Sequence, residues 1–350
     1  MFVVPMLIRV WIVGVLFSLV SVPSSAAGID ATINSAMQPI ADAVANFIFF
    51  EVGVFGTRLP LIILWLIGAS IFFTCYFRFL NLRGFKHAFE LLRGDFTKPG
   101  QRGELTHFQA LATAVSGTVG IGNISSVAIV ISIGGPGATF WLMIAGLLGM
   151  STKFAECVVG VKYRKLNPDG SVSGGPMYYL EEGLKERNLA WLGKPMGYFY
   201  ALSIVIGCMG IGNMFQSNQA FEQFVVVTGG ETGFFADKGW LFGGVLASIV
   251  GVVILGGITS IAKVTSKLVP FMAGIYIIGS LTVIFLNAER IPWAIGAIVT
   301  EAFNPSAVGG GMLGVMIMGF QRAVFSNEAG IGSAAIAHSA VKTQEPVTEG

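Results

Sequence analysis

Residues 106–134 form a mostly apolar run long enough to cross a lipid bilayer, and in its middle stands Ser116–Asn123, SGTVGIGN. Two demands collide there. A hydrocarbon core about 30 Å thick takes about 20 apolar residues as a helix whose backbone hydrogen bonds are all internal. Glycine weakens such a helix by about 1 kcal/mol relative to alanine. Gly117, Gly120 and Gly122 nevertheless crowd this stretch, and Asn123 follows them. A chain accepts that only where the helix is buried in protein or lines a cavity.

Composition puts the whole chain in the membrane. Charged residues make up 11% and apolar residues 54%, where a soluble domain carries about 25% charged residues. Mean hydropathy is +0.75. A net charge of +2 gives a nucleic-acid partner no electrostatic basis. Cys75, Cys157 and Cys208 all lie in apolar runs and read as small apolar fillers. At the N-terminus, Arg9 precedes VWIVGVLFSLV, and SVPSSAA follows with Ser25 and Ala27 at cleavage spacing. Residues 1–27 therefore read as a signal peptide, with an uncleaved anchor helix as the rival. Residues 28–58 predict an outer segment, with INSAMQPIADAVANFIFF as an amphipathic interfacial helix.

Seven spans are expected near 59–78, 106–134, 138–160, 197–226, 240–261, 268–287 and 309–338. The lysines and arginines of 78–102, 162–194, the turn holding Lys263 and Lys267, and Lys342 all fall on one side. That side is the cytoplasm, which places the mature N-terminus outside. In the loop 162–194, NPDGSVSGGPM reads as turns and YYLEEGLKER as a short amphipathic surface helix.

Three related clusters occur: GIGN at 120–123, GIGN at 210–213 and GIGS at 330–333. For 210–213 close helix packing is the favoured reading. For 117–123 and 326–333 unwound backbone is favoured, because Asn123, Ser326, Asn327 and Glu328 supply polar groups that packing does not need. Two interrupted spans of opposite direction predict an inverted-repeat transporter. A break at mid-membrane frees N–H groups on one half-helix, which hold an anion such as a carboxylate, and carbonyls on the other, which hold a small cation. A phosphate loop is excluded, since no Lys-Ser or Lys-Thr follows the glycines. An intramembrane hydrolase lacks a nucleophile motif, and no H-E-x-x-H occurs, so no enzyme is expected.

The run GTVGIGNISSVAIVISIGGPGATFWLMIAGLLGMSTKFAECVVGVKYR resembles the alanine or glycine:cation symporter family, the sodium:alanine symporters. So do SGGPMYYLEEGL, GIGNMFQSNQA and AVFSNEAGIGSAAIAHSAVKTQEPVTEG. The resemblance covers most of residues 59–350. It implies an all-α integral membrane protein with the LeuT-type inverted repeat and discontinuous core helices. In that scheme 59–78 is an extra helix, 106–287 the first five-helix repeat and 309–350 the start of an incomplete second repeat. It further implies sodium-coupled uptake of alanine or glycine in a multi-pass cell membrane protein, by expectation of the bacterial inner membrane. Lipid, a small amino acid and sodium are the partners, with no cofactor beyond sodium as coupling ion.

Carried over by residue, the resemblance gives the N–H groups of Ile121 and Gly122 to the substrate carboxylate. It turns the carbonyls of Ser116 and Val119 toward sodium, and makes Asn123 a group that fixes the break or the cation. Gln216 is a substrate contact, Phe325 a lid over a small side chain, and Ser326, Asn327 and Gly330 complete the substrate site. Family members run on through further helices beyond the length seen here, so the 350-residue chain alone is expected to transport poorly.

Arg322 and Glu328 fall within the last span, and ionisable residues there are functional candidates. Glu328 is a candidate cap for the freed N–H groups, and a break between the two residues would give them different surroundings. Lys153 and Glu156, spaced i,i+3, are expected to pair and snorkel at the cytoplasmic interface. His87, His107 and His338 show no metal-ligand spacing. The rival functions are a passive channel and a proton-coupled permease, separable by the sodium dependence of uptake.

Overall fold

The computed structural model describes residues 46–350 apart from 55–56, 99, 237 and 305–310, together with 38–39 and 42–43. The signal peptide expected at 1–27 lies outside the described residues. Within the outer segment, residues 46–48 are helical. Residues 38–39 and 42–43, also within the stretch expected to be an amphipathic helix, are helical too, and beyond that stretch the chain is extended. It turns back as a hairpin, β1 (Glu51–Val54) antiparallel to β2 (Thr57–Pro60). The β-branched Val52 and Val54 suit extended pairing, and Pro60 ends the second strand, where a missing N–H costs little.

The remainder is helical. In order come α1 (Leu61–Tyr76), α2 (Phe85–Arg93), α3 (His107–Thr118), α4 (Ile121–Gly134) and α5 (Gly137–Lys162). A small hairpin, β3 (Lys165–Leu166) with β4 (Val172–Ser173), leads to α6 (Pro176–Glu186), so the turns and surface helix expected in this loop are present. Then follow α7 (Ala190–Gly207), a π-helical segment Cys208–Met214 and α8 (Phe215–Val227). The chain continues through α9 (Gly239–Ile254), α10 (Gly257–Leu286), α11 (Ile291–Ala302), α12 (Gly311–Asn327), α13 (Ser333–Ser339) and α14 (Pro346–Glu349).

By length and composition α5, the α7–α8 run and α10 can each cross a membrane, and α3 with α4 makes a fourth span bent by 42°. The boundary expected at Lys263 and Lys267 is displaced. The chain turns at Leu255–Gly256, and both lysines ride on the exposed face of the first turns of α10. Gly257 explains the shift: its φ of +70° is a left-handed conformation that glycine adopts without penalty, so the backbone can reverse there.

Helix α5 is the hub, packed against α1, α11, α12 and α13. Its contacts mix small apolar residues with single hydrogen bonds, as helix pairs in lipid do when no hydrophobic force separates protein from solvent. Val130, Ala138 and Val315 form one buried cluster, and Ile63, Ala145, Phe320 and Ala323 another. The hydroxyls of Ser70 and Thr152 lie 3.0 Å apart, tying α1 to α5, and Trp141 Nε1 donates to the Ala302 carbonyl at 3.0 Å. Gly319 of α12 lies so close to α5 that a Cβ there would stand 2.7 Å from the Ala138 carbonyl oxygen.

Candidate functional site at two broken helices

The first break separates α3 from α4. Helix α3 starts firmly: Thr106 Oγ1 accepts the Gln109 N–H at 3.2 Å, while Gln109 Oε1 accepts the Thr106 N–H at 3.1 Å, a capping box. It stops where Val119 turns extended, with ψ of 108°. Beyond it the side chains of Asn123 and Gln216 take over the backbone donors. Asn123 Oδ1 accepts the Gly120 N–H at 3.1 Å, and Gln216 Oε1 accepts the Ile121 N–H at 3.2 Å. Asn123 thus caps an amide at the break. Its own N–H returns to the Gly120 carbonyl at 3.0 Å. These diversions have a consequence for the carbonyls expected to face a cation. The usual helical donors to Ser116 and Val119, four residues on, are Gly120 and Asn123, and both donate elsewhere. The Ser116 hydroxyl turns inward to the Thr113 carbonyl at 2.7 Å.

The second break separates α12 from α13 over residues 328–332. Glu328, Gly330 and Gly332 take φ values of +52°, +97° and +85°. Asn327 Oδ1 accepts the Ala329 N–H at 2.9 Å, and Glu328 Oε2 accepts the Ser333 hydroxyl at 2.6 Å. Glu328 is therefore not the cap expected for the freed N–H groups. Glu328 meets a side chain at the start of α13, while the Gly330 N–H goes to Glu156 Oε1 of α5. Arg322 stays within α12, so the break does give it and Glu328 different surroundings.

Glu156 is the residue that sequence reasoning misplaced. Its pairing with Lys153 holds, at 3.9 Å, but neither side chain snorkels. Glu156 is buried, and both its second oxygen and Lys153 Nζ are enclosed without a hydrogen-bond partner. The reason is the close approach of α5 to α12 and α13, which turns this face of α5 onto the second break. A charged pair within an apolar span was the available signal.

The helix ends beside the two breaks touch. A Cβ on Gly122 would lie 3.3 Å from Phe325 Cε1 and 3.6 Å from Ser326 Cα. A Cβ on Gly120 would lie 3.1 Å from Gln216 Oε1. Ile121, Gly122, Asn123, Gln216, Phe325 and Ser326 are thus drawn to one place, with Ser116 and Val119 at the end of α3 beside it. Asn327 and Gly330 turn away from it. The Asn327 amide nitrogen faces Gly149 of α5, and Gly330 faces Leu66 of α1. The cluster at 210–213 behaves otherwise. Nothing stands within 4 Å of a Cβ on Gly210 among the described residues, so close packing is not its use there, and the backbone winds as a π-helix instead.

An apolar span broken at Val119–Gly120 thus lies beside a second helix break at 328–332. The family model described as the sodium:alanine symporter family matches residues 42–350. The chain belongs to the sodium:alanine symporter family. This is a family of transporters and not of enzymes, and with the apolar helices it makes the chain a multi-pass membrane protein. Sodium/alanine symporter AgcS of Methanococcus maripaludis is 41% identical over 288 residues, 82% of this chain and 61% of the relative. A transporter of Haemophilus influenzae is 40% identical, covering 90% of this chain and 65% of its own length. The Bacillus subtilis protein named "Probable sodium/glutamine symporter GlnT" is 35% identical, covering 83% and 58%. The chain thus spans less than two thirds of the length of these relatives.

Proposed function

We propose that the chain carries the substrate site of a secondary transporter that couples sodium entry to uptake of alanine or glycine by alternating access. The contact between the helix ends that flank the two breaks supports this reading: Gly122 lies against Phe325 and Ser326, beside two diverted amides and the carbonyls of Ser116 and Val119. On this reading the helices form a LeuT-type inverted repeat, with 106–287 the first unit and 309–350 the start of the second. The transporter sits in the cell membrane, in a bacterium the inner membrane, with its mature N-terminus outside.

The N–H groups of Ile121 and Gly122 open helix α4, where the helix dipole favours a carboxylate. Gln216 Oε1 sits on the Ile121 N–H, at the place a carboxylate oxygen would take. The substrate displaces it and then meets the Gln216 amide. Phe325 limits room for the substrate side chain, and Ser326 lies beside its ammonium. Asn327 and Gly330 serve the site by holding the second break in shape. Sodium is bound by the carbonyls of Ser116 and Val119 with help from Asn123. No titratable side chain occurs within 116–123, which favours sodium over a proton. The names of the relatives point both to alanine and to glutamine, and the Phe325 ring against Gly122 favours the smaller substrate.

Uptake of labelled alanine and glycine into vesicles holding the protein tests this. Accumulation that collapses without sodium, and that falls by about tenfold or more in Asn123→Ala and Gln216→Ala, is the expected result, since each loses a hydrogen bond tied to the charged ligands. Downhill flux indifferent to sodium would instead establish a passive channel, and accumulation driven by a pH gradient a proton-coupled permease.

A further inference from the structure

Helix α10 is longer than the bilayer it crosses. Its 30 residues, Gly257–Leu286, run about 45 Å against a hydrocarbon core about 30 Å thick, so about ten of them reach beyond the core. Packing shows where its first turns lie. Ala262 is buried in one cluster with Leu105, Val161, Ala340 and Val341. These stand just before α3 starts, where α5 ends and just after α13 ends. The first turns of α10 are thus level with the ends of three other helices, at the bilayer surface that the charge pattern assigns to the cytoplasm. Lys263 and Lys267 stand there on consecutive turns. Ala262, Thr265 and Val269 turn inward, with Thr265 Oγ1 3.2 Å from Thr113 Oγ1 of α3. Both lysines are exposed on the other side of the helix.

Two observations ask for a ligand here. The first is uncompensated charge. The lysines are four residues apart, where like charges repel, and α3, α9 and α10 carry no Asp or Glu to offset them. The lysine ion pairs among the described residues all involve other lysines. The second is shape. Lys263, Val264, Lys267, Leu268 and Phe271 line an open groove of about 480 Å³. Its apolar members are exposed, and the apolar stripe runs on through Ile275 toward the membrane interior. We propose that this groove binds an anionic phospholipid of the cytoplasmic leaflet, its phosphate bridging the Lys263 and Lys267 ammoniums and an acyl chain lying along Leu268, Phe271 and Ile275. Lys267 sits one turn deeper, by about 6 Å, and its flexible stem lets the ammonium rise to the same phosphate. A soluble anion would match the two charges and leave the apolar floor bare. A zwitterionic lipid would bring its own cation to the phosphate. The leaflet surface already holds phosphate at this depth, with chains pointing the way the stripe runs. The site rests on the packing and charge of α10 and not on the transport reading.

Native mass spectrometry of the detergent-purified chain tests this. The chain is titrated with phosphatidylglycerol or with phosphatidylcholine of the same acyl chains, and the dissociation constant of the first bound lipid is read for each. A lysine near an anionic surface contributes about fivefold, so about a thirtyfold preference for phosphatidylglycerol is expected. Lys263→Gln with Lys267→Gln lowers the preference by about that factor. Arg83→Gln with Lys86→Gln, an exposed basic pair elsewhere, leaves it unchanged. Phe271→Ala weakens both lipids alike and keeps the preference, and millimolar inorganic phosphate does not displace the lipid. No preference in the unmodified protein, as when protein covers the groove, overturns the proposal. So does a preference that survives the loss of both lysines, or binding of both lipids indifferent to Phe271→Ala. Displacement by inorganic phosphate overturns it in favour of a soluble anion. All the substituted side chains are exposed, so the variants are expected to melt with the unmodified protein.

Discussion

The two breaks solve one problem with different chemistry. At the first, only Val119 and Gly120 leave the helix, and the exposed amides are held by neutral side chains, Asn123 and Gln216. At the second, five residues unwind, three of them with positive φ, and the grip comes from the carboxylates of Glu156 and Glu328 with the amide of Asn327. A neutral acceptor is readily exchanged for a charged ligand. A buried carboxylate is not, because leaving its partners unpaired is costly. On the proposed reading, the first break is the one a ligand rearranges, and the second keeps its shape while that happens.

The contrast can be broken most forcefully at Glu156. Glu156→Ala leaves the Gly330 N–H without its acceptor and Lys153 without its counter-ion, and a loss of about 3 kcal/mol is expected, read as a lowered melting temperature in detergent. Glu156→Gln, which keeps an acceptor oxygen, restores part of it. Equal melting of Glu156→Ala and the unmodified protein would remove the distinction between the breaks. Next comes Gly330→Ala. It puts a side chain at φ +97° and a Cβ 2.6 Å from Leu66 Cδ2, for a loss of about 2 kcal/mol. Adding Leu66→Ala should recover the steric share and leave the backbone share. Asn123→Ala removes a cap and is expected to lose about 1 kcal/mol of stability. The smallest effect belongs to Gly120→Ala, below about 0.5 kcal/mol, since Gly120 is extended and its Cβ would meet only the mobile end of Gln216. A large loss there would mean that the first break is as rigidly specified as the second.

Both breaks were legible in the sequence, because glycines beside Asn123 and beside Ser326–Glu328 make no sense as lipid-facing helix. Gln216 was singled out only through the family resemblance. What escaped was set by packing at long range. Glu156 and Lys153 carry the same i,i+3 signature whether they face water or the Gly330 amide, and only the seat of α5 on α12 and α13 decides between them. His107 and His338 both bond the Glu349 carboxylate, across as many as 242 positions, so no local spacing could join them. Lys263 and Lys267 misled for a simpler reason. Charges in an apolar stretch read as a turn, whereas α10 carries them on an exposed face and the turn falls to glycines that looked like part of a span.

The wide winding at Cys208–Met214 runs directly into α8, and Gln216 follows within the next turn. Such a segment stores one residue more per turn than an ordinary helix. Were that surplus residue passed along the rod, every side chain beyond it would swing by roughly 100° about the axis. Gln216 would leave the Ile121 amide by rotation alone, with no need for the ends of a 38-residue rod to shift through the lipid.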